Sequence, residues 1–153
     1  MDVTYDALDA KILRNLQQDA QQTVDHLGQK IGLSRNAVWR RVKRLEDSGI
    51  IRARVAVLDA EALGLGLSVF ISIKTAQHDA KWAAAFLKTV RALPEIQGAY
   101  RTSGEQDYLL QARVRDVKAY DHLYQRLIAQ VDLQDVSASF VMEELKETTV
   151  LPV

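Results

Sequence analysis

The sequence predicts an α+β fold in which a helical N-terminal part is followed by strands that alternate with helices. Up to about residue 60 the apolar residues recur at helical spacing, whereas from residue 67 onward runs with a two-residue period alternate with helical stretches. Between them, the segment AEALGLGL has two glycines and little charge, as is typical of a joint between domains. We therefore predict two domains, residues 1–60 and residues 61–153.

Composition limits the classes of function that this chain can have. The 153 residues include 20 Lys or Arg and 20 Asp or Glu, so a uniformly basic coat is excluded and a polyanion site must be a local patch. The absence of cysteine excludes disulfides, thiolate nucleophiles and sulfur-ligated metals. An acidic N-terminus and the lack of a membrane-length apolar run predict a cytoplasmic protein with no membrane partner.

Three short helices are predicted in the first domain. Asp6 or Asp9 starts the first helix, Gly32 ends the second, and Ser34 is an N-cap candidate for the third. The apolar positions are Leu8, Ile12, Leu13 and Leu16 in the first helix, Val24, Leu27 and Ile31 in the second, and Val38, Val42 and Leu45 in the third. The tight turn before Ser34 makes this a helix-turn-helix, and the alternating segment IIRARVAVLD after it is a predicted wing or linker strand.

The third helix gathers basic residues on the face opposite its apolar stripe. From residue 35 to residue 54 there are seven Lys or Arg against two acids, although the whole chain is neutral. Such a helix fits the DNA major groove, with its first turn reading bases and later basic residues contacting phosphates. Arg35 and Asn36 are the predicted base readers, because Arg pairs with guanine and Asn with adenine. The full predicted surface is Ser34, Arg35, Asn36, Trp39, Arg40, Arg41, Lys43, Arg44 and Arg52.

Two alternatives apply to this surface. A basic helix face is in most proteins a solvated face, and it is the helix-turn-helix context that favours DNA here. Trp39 either packs against the second helix or faces DNA, and the sequence does not decide between these positions.

The second domain has the predicted order βαββαβ, a ferredoxin-like arrangement. Strands are predicted in LSVFISIKT, IQGAYRTSG, DYLLQARVR and VSASFVMEELKET, and helices in DAKWAAAFLKTVRAL and DVKAYDHLYQRLIAQV. The second and third strands form a hairpin around residues 104–107, and Asp116 is a cap candidate for the second helix. Both faces of the sheet carry apolar residues, which predicts dimerisation through the sheet. A two-fold dimer suits a palindromic operator on double-stranded DNA.

Three stretches together carry a family resemblance: LDAKILRNLQQDAQQTVDHLGQKIGLSRNAVWRRVKRLEDSGII, the turn TSGEQDYLL and the ending SASFVMEELKETTVLP. On these the whole chain resembles the leucine-responsive/asparagine-regulator (Lrp/AsnC) family of bacterial and archaeal transcription factors. Trp39 and the stretch MEELKETTVLP resemble the branch with DecR-like regulators of cysteine detoxification. The resemblance implies a sequence-specific regulator that forms homodimers and then rings such as octamers.

The resemblance also implies that a small effector, an amino acid rather than a cofactor, binds between dimers near the hairpin turn. Carried onto this chain, the effector candidates are Tyr100, Ser103, Gly104, Glu105, Gln106, Asp107, Ser137 and Ser139. A carboxylate such as Asp107 suits the ammonium of an amino acid, while amides and hydroxyls suit its carboxylate. Without the family match, Gly104 and Asp107 read as an ordinary turn. Gln106 stands where family members commonly have tyrosine, which alters the polarity of the pocket.

No enzyme is predicted. The three histidines are scattered, and neither a metal-binding HExxH motif nor a glycine-rich phosphate loop occurs. Two alternatives share parts of the predicted plan: a haem-pathway decarboxylase of the same two-domain architecture, which needs no basic third helix, and an architectural DNA protein without an effector.

Overall fold

The computed structural model describes residues 4–153, with five helices and four strands in this part of the chain. In chain order the elements are α1 (Ala7–Gln18), α2 (Val24–Ile31), α3 (Arg35–Asp47), β1 (Leu67–Lys74), α4 (Ala80–Ala92), β2 (Ile96–Arg101), β3 (Tyr108–Val114), α5 (Val117–Ile128) and β4 (Asp135–Phe140). This order confirms the predicted α+β fold, with helix-turn-helix first and βαββαβ second.

Polar residues at the helix ends explain where each N-terminal helix begins. The Asp6 carboxylate accepts hydrogen bonds from the N–H groups of Leu8 and Asp9, and the Asp9 carboxylate accepts from the Asp6 N–H at 3.0 Å. Both acids proposed for the start of α1 therefore act there. Ser34 caps α3 as predicted, and Gly32 ends α2 with a φ of 74°, a left-handed conformation that suits glycine.

The core of the three-helix unit is formed by the apolar stripes that the periodicity predicts. Its buried members are Ile12, Leu13, Leu27, Val38, Val42 and Leu45. Each is at most 8% exposed. Because all three helices contribute, the core fixes the orientation of α3 within this unit.

The predicted wing or linker strand after α3 is not paired as a strand within the single chain. Residues 51–58 form no strand, and no described segment pairs with them. Val55 and Val57 are 76% and 79% exposed, so the alternation in this segment buries no face within the chain. A strand requires a neighbour for its backbone N–H and C=O groups, and sequence periodicity alone does not supply one.

The four strands of the second unit form one antiparallel sheet in the order β2-β3-β1-β4. Ile71 of β1 lies opposite Leu110 of β3 on one side and Ala138 of β4 on the other. These residues belong to the core that the sheet forms with α4 and α5. Phe70 points to the opposite face and is 38% exposed, so this face carries apolar surface, as the sequence indicates.

The end of the chain departs from the predicted domain boundaries. The alternating run that was expected to continue to residue 148 ends as a strand at Phe140. The last eight residues, Lys146–Val153, belong to the compact unit of the N-terminal helices, while Leu58–Leu145 form the second unit. The predicted boundary after residue 60 thus lies just inside the second unit, and the first unit is made of two separate segments.

Side chains of α1 hold this returning segment. Leu151 donates its N–H to Gln17 Oε1 at 2.6 Å, and Gln17 Nε2 donates to the Leu151 carbonyl at 3.1 Å. Arg14 Nη1 donates to the Val153 carbonyl oxygen at 2.8 Å, and the Val153 side chain packs on the helical core. We call residues 146–153 the C-terminal segment below.

Among residues 4–153, no helix is both long enough and apolar enough to cross a bilayer.

Candidate functional site

The exposed face of α3 carries most of the predicted DNA-binding residues. Arg35, Asn36, Trp39, Arg40 and Lys43 are all exposed, while the opposite stripe of the same helix is buried. Ser34 lies at the start of this face and also has a structural role, because its Oγ accepts a hydrogen bond from the Ala37 N–H at 3.3 Å. The helix therefore presents one continuous surface of basic, amide and indole groups to solvent.

Trp39 lies outside the core. Its side chain is 57% exposed, and it is absent from the cluster of buried apolar residues of this unit. The alternative in which the ring packs into the core against α2 is therefore wrong. An exposed indole beside Arg35 and Lys43, one helical turn away on either side, is available to a partner outside the chain.

Acidic residues from other helices reduce the positive charge of this surface. Arg35 forms an ion pair of 3.3 Å with Asp25 of α2, and Lys43 forms one of 2.8 Å with Asp47. Both pairs are exposed, so salt screens them and DNA phosphates can replace the acids. The sequence count missed Asp25, because it compared charges only along the segment from residue 35 to residue 54.

A stronger network binds α3 to α1. The Asp9 carboxylate is fully buried and accepts hydrogen bonds from Arg41 at 2.8 Å and from Arg44. Arg41 also donates to Asp6 at 2.7 Å. The Asp9 N–H and the Arg41 guanidinium hold the pKa of Asp6 at about 2, and the two carboxylates raise the pKa of Arg41. Arg41 and Arg44 are predicted to contact DNA phosphates. In the fold they are also ion-pair partners of acidic residues on or before α1.

The sequence predicted Asp9 only as a residue at the start of α1. It did not predict that the Asp9 carboxylate is buried and pairs with Arg41 and Arg44 of α3. A signal was present, because Ile12 and Leu13 follow Asp9 at helical spacing and so place its side chain on the buried face of α1. A buried carboxylate requires a cationic or hydrogen-bonding partner, and α3 supplies it.

Among the described residues, Arg40 and Arg52 have no acidic partner within ion-pair distance. Both are exposed. Arg54 differs, since its guanidinium lies 3.0 Å from Glu46. Arg40 and Arg52 are therefore the two predicted DNA contacts whose positive charge is not shared with an acid.

The hairpin between β2 and β3 forms the predicted turn. Thr102 N–H donates to the Asp107 carbonyl at 2.9 Å, and Thr102 Oγ1 donates to the Gln106 carbonyl at 2.6 Å. Gly104 has a φ of 136°, a backbone conformation that residues with a side chain rarely adopt. Ser103, Gly104 and Glu105 are exposed at the tip of the turn.

Asp107 fastens this turn to the end of β1. Its Oδ2 accepts the Thr75 N–H at 2.8 Å, and its own N–H donates to the Ile73 carbonyl at 2.9 Å. One carboxylate oxygen is therefore engaged in the fold. The other, Oδ1, has no hydrogen-bond donor among residues 4–153 and remains available for a cation.

Gln106 has an unusual environment. Its Oε1 is buried from solvent and finds no hydrogen-bond donor in the described part of the chain. An unsatisfied buried acceptor costs about 1–3 kcal/mol, so a donor from outside the chain would be stabilised here. This carbonyl and the free oxygen of Asp107 belong to neighbouring residues of the same turn.

The structure does not bring all predicted effector residues together in one chain. Tyr100 lies on β2, at one edge of the sheet, whereas Ser137 and Ser139 lie on β4, at the other edge. With strands about 4.8 Å apart, three interstrand steps separate them by roughly 14 Å. Tyr100 and the two serines therefore do not share one cleft within a single chain, and their joint role as effector ligands stays a prediction for an assembly of several chains.

Tyr100 itself stays close to its own strand. A Cβ on Gly98 would come within 2.7 Å of the Tyr100 hydroxyl oxygen, so the ring folds back over this glycine. Tyr100 remains 55% exposed, on the same strand that leads into the turn. It stays compatible with a cleft formed around residues 103–107.

Two depressions in the second unit lie away from the β2–β3 turn. A groove of about 750 Å³ is lined by α4 and α5 residues that include Thr89, Leu93 and Gln130, and one of about 540 Å³ is lined by residues that include Glu95 and His122. Neither contains a residue of the predicted effector turn. Within residues 4–153, no three His, Asp or Glu side chains are placed to hold a metal ion.

Both halves of the chain match models of known protein families. Residues 5–52 match the model for a winged helix-turn-helix DNA-binding domain, and residues 68–151 match the model for the Lrp/AsnC ligand binding domain. The chain is 48% identical over 147 residues to the glutamate uptake regulatory protein of Zymomonas mobilis, covering 96% of this chain and 90% of that protein. It is 44% identical over 149 residues to the DNA-binding transcriptional activator DecR of Escherichia coli, covering 97% and 98%.

Solved structures show the same architecture. The fold superposes with a TM-score of 0.93 on a transcriptional regulator of Neisseria meningitidis in complex with L-methionine, with 38% identity over 97% of each chain. Helix-turn-helix and sheet domain thus occur together in a protein that holds a free amino acid.

Proposed function

Because the chain belongs to the Lrp/AsnC family of transcriptional regulators, we propose that it binds a palindromic DNA operator through α3 and that an amino acid bound near the β2–β3 turn modulates this binding or the assembly. Its curated relatives are named as regulators, and the chain is likewise a regulator and not an enzyme. The single observation that carries the DNA proposal is the exposed face of α3, which combines base-reading and phosphate-binding side chains on one surface.

Each residue of that face has a role that follows from its position. Arg35 and Asn36 lie in the first turn of α3, where a recognition helix meets base edges, and they read guanine and adenine respectively. Arg40, Lys43 and Arg52 bind phosphates and set the register. Displacing Asp25 from Arg35 costs little, because that ion pair is exposed.

The effector proposal rests on two neighbouring groups of the turn. Gln106 Oε1 and Asp107 Oδ1 are both acceptors without donors in the described chain, and a protonated amine supplies such donors. Ser103 and the backbone around Gly104 supply donors for the carboxylate of the same ligand. Tyr100 covers the side of the cleft nearest to β2. Ser137 and Ser139 take part only from a second copy of the chain, since their own sheet edge is remote.

We also propose that the chain forms a homo-oligomer, which suits both the DNA proposal and the effector proposal. The open face of the sheet exposes Phe70, and an apolar sheet face of this kind suits a second copy of the chain. A two-fold homodimer presents two α3 helices to two half-sites, and rings such as octamers create further clefts between dimers. An effector changes DNA binding only if its affinity differs between these arrangements. We further propose that the protein acts in the cytoplasm, where a DNA-binding regulator meets its operator.

The test is binding of the purified protein to a duplex from the upstream region of its own coding sequence and to a scrambled duplex. Affinity is measured by fluorescence anisotropy at several salt concentrations, alone and with methionine, glutamate, cysteine or leucine. We expect operator preference that one amino acid shifts. Equal affinity for both duplexes would refute sequence-specific regulation, and operator preference that no amino acid changes would favour an architectural role.

A further inference from the structure

A depression of about 350 Å³ lies on one flank of α3. It is lined by Leu33, Ala37, Arg40, Arg41 and Arg44. The last four of these lie at positions i, i+3, i+4 and i+7 of α3, so they form one stripe beside the base-reading face. Three arginine side chains thus line one open depression next to the predicted DNA surface.

The guanidinium groups of Arg41 and Arg44 are hydrogen-bonded to a buried carboxylate. Asp9 is fully buried beneath them and accepts hydrogen bonds from Arg41 and Arg44 at its two oxygens. Even so, the side chain of Arg44 stays 56% exposed, because the bond to Asp9 occupies only its Nη2. A guanidinium has five N–H donors in a fixed plane, so fixing one edge on Asp9 also fixes the direction of the remaining donors.

The charge of this cavity matches one phosphodiester. Arg40, Arg41 and Arg44 contribute three positive charges, and the carboxylates of Asp6 and Asp9 neutralise two of them. One positive charge remains, which is the complement of a single backbone phosphate. Arg40 has no acidic partner in residues 4–153 and supplies this surplus.

We propose that Arg40, Arg41 and Arg44 form a seat for one backbone phosphate in each operator half-site, and that Asp9 is the positioning residue that orients the two anchored arginines toward it. The inference rests on the proposed operator binding and adds a specific contact to it. Asp9 does not touch DNA. It acts through Arg41 and Arg44, whose free N–H groups meet the phosphate oxygens.

This proposal reverses the expectation from simple charge counting. Removing an acid close to DNA is expected to strengthen binding, since it removes repulsion. If Asp9 positions the arginines, Asp9→Asn instead weakens binding by about tenfold, the usual cost of losing a charged hydrogen bond. The operator and the scrambled duplex lose affinity equally, because phosphates carry no sequence information. The salt dependence of log Kd becomes shallower by about one unit.

The experiment uses the full chain and a series of operator duplexes, each with one neutral methylphosphonate in place of a phosphate. The wild-type protein is expected to lose about tenfold in affinity at one position in each half-site. Arg44→Gln and Asp9→Asn are expected to lose nothing further at that position, while they respond normally elsewhere. Asp19→Asn is the matched control. It removes one negative charge from the same unit without touching an arginine, and its DNA binding stays equal or becomes tighter.

The outcomes separate the two proposals. If the wild-type protein does not distinguish operator from scrambled duplex, the proposed function fails. If it does, but Asp9→Asn binds as tightly as wild type, or Arg44→Gln still responds to the same methylphosphonate, the phosphate seat is wrong. Circular dichroism checks that Asp9→Asn is folded. Should it unfold, Arg44→Gln decides the question, because Arg41 still bonds to the buried Asp9 carboxylate in that variant.

Discussion

Arg41 Nη1 lies 2.7 Å from Asp6 Oδ2, so the residue that caps α1 is also an ion-pair partner of α3. This relationship makes the stability of the three-helix unit depend on pH in the acid range. The pKa of Asp6 is about 2 in the folded protein against an ordinary value of 3.8. A lowered pKa means that the contribution of Asp6 is complete above its ordinary value and is lost as the pH falls toward 2.

Asp6→Asn tests this dependence, since asparagine keeps the N-cap but loses the charge. We expect a lower Tm than wild type at pH 5 and above, and a difference that shrinks between pH 4 and pH 2. Thermal denaturation followed by circular dichroism over this range measures it. A Tm difference that is the same at pH 2 and pH 6 would show that the ion pair contributes nothing.

Trp39 is expected to contribute to DNA binding and not to folding. Trp39→Ala changes the free energy of unfolding by no more than about 0.5 kcal/mol, because the side chain is exposed. It weakens operator binding by about tenfold if the ring meets a base edge or a thymine methyl group. Titration with operator DNA, together with a urea denaturation curve, separates the two effects.

The Trp82→Phe variant supplies an independent check on Trp39. The chain has two tryptophans, so this substitution leaves Trp39 as the single one. Because Trp82 is buried and stacked on Phe86, its replacement does not change the protein surface. Its emission should change when operator is added. Unchanged emission at saturating operator would place the ring away from DNA.

Gly28→Ala is expected to destabilise the helix-turn-helix. Alanine is normally better than glycine inside a helix by about 1 kcal/mol. Here the new Cβ would lie 2.6 Å from the backbone oxygen of Leu33, in the turn before α3. Relieving such a contact costs about 1–3 kcal/mol, so the net effect is a loss of stability. Gln29→Ala, at an exposed position of the same helix, is the control; a higher Tm for Gly28→Ala would contradict the tight turn.

Asp107→Asn should separate effector response from DNA binding. Asparagine can still accept the Thr75 N–H, so the tie between the turn and β1 is kept while the charge for an ammonium group is removed. Operator affinity without effector remains as in wild type, and the shift caused by the amino acid disappears. Anisotropy titrations with and without effector measure both, with Glu105→Gln as the charge-matched control. A normal response would exclude Asp107 as an ammonium ligand.

Gln17→Ala should release the C-terminal segment. The substitution removes the hydrogen bonds to both the N–H and the carbonyl of Leu151, and we expect a loss of about 1 kcal/mol and faster hydrogen exchange of the Leu151 amide. Gln18→Ala, on an exposed position of α1, should leave both unchanged. Equal exchange rates in the two variants would contradict the docking of this segment.

Local patterns predicted the helices well because their ends depend on neighbouring residues. Ser34 and Asp116 are caps for this reason, and each accepts an N–H three residues further on. A strand also needs a neighbouring strand to pair with, and local sequence does not supply one. Residues 51–58 alternate as the strands do, yet no described strand of this chain pairs with them. Periodicity predicts which face of a segment is apolar, but it does not predict which other segment packs against that face.

The candidate sites required tertiary information that no local pattern contains. Asp9 meets Arg44 across 35 positions, and Asp107 meets Thr75 across 32 positions. The strand order that separates Tyr100 from Ser137 likewise follows from the fold. For these reasons the sequence predicted the exposed face of α3 and the turn between β2 and β3, but not which of their side chains are already engaged in contacts within the fold.

The return of the C-terminal segment to α1 has a consequence for synthesis. Gln17 and Leu151 are separated by 134 positions. At typical rates of translation, about 5–20 residues per second, roughly 7 to 27 seconds pass between their appearance. During this interval the three helices exist on the ribosome without their final packing partner. The three-helix unit therefore completes its packing only after residue 151 has been synthesised.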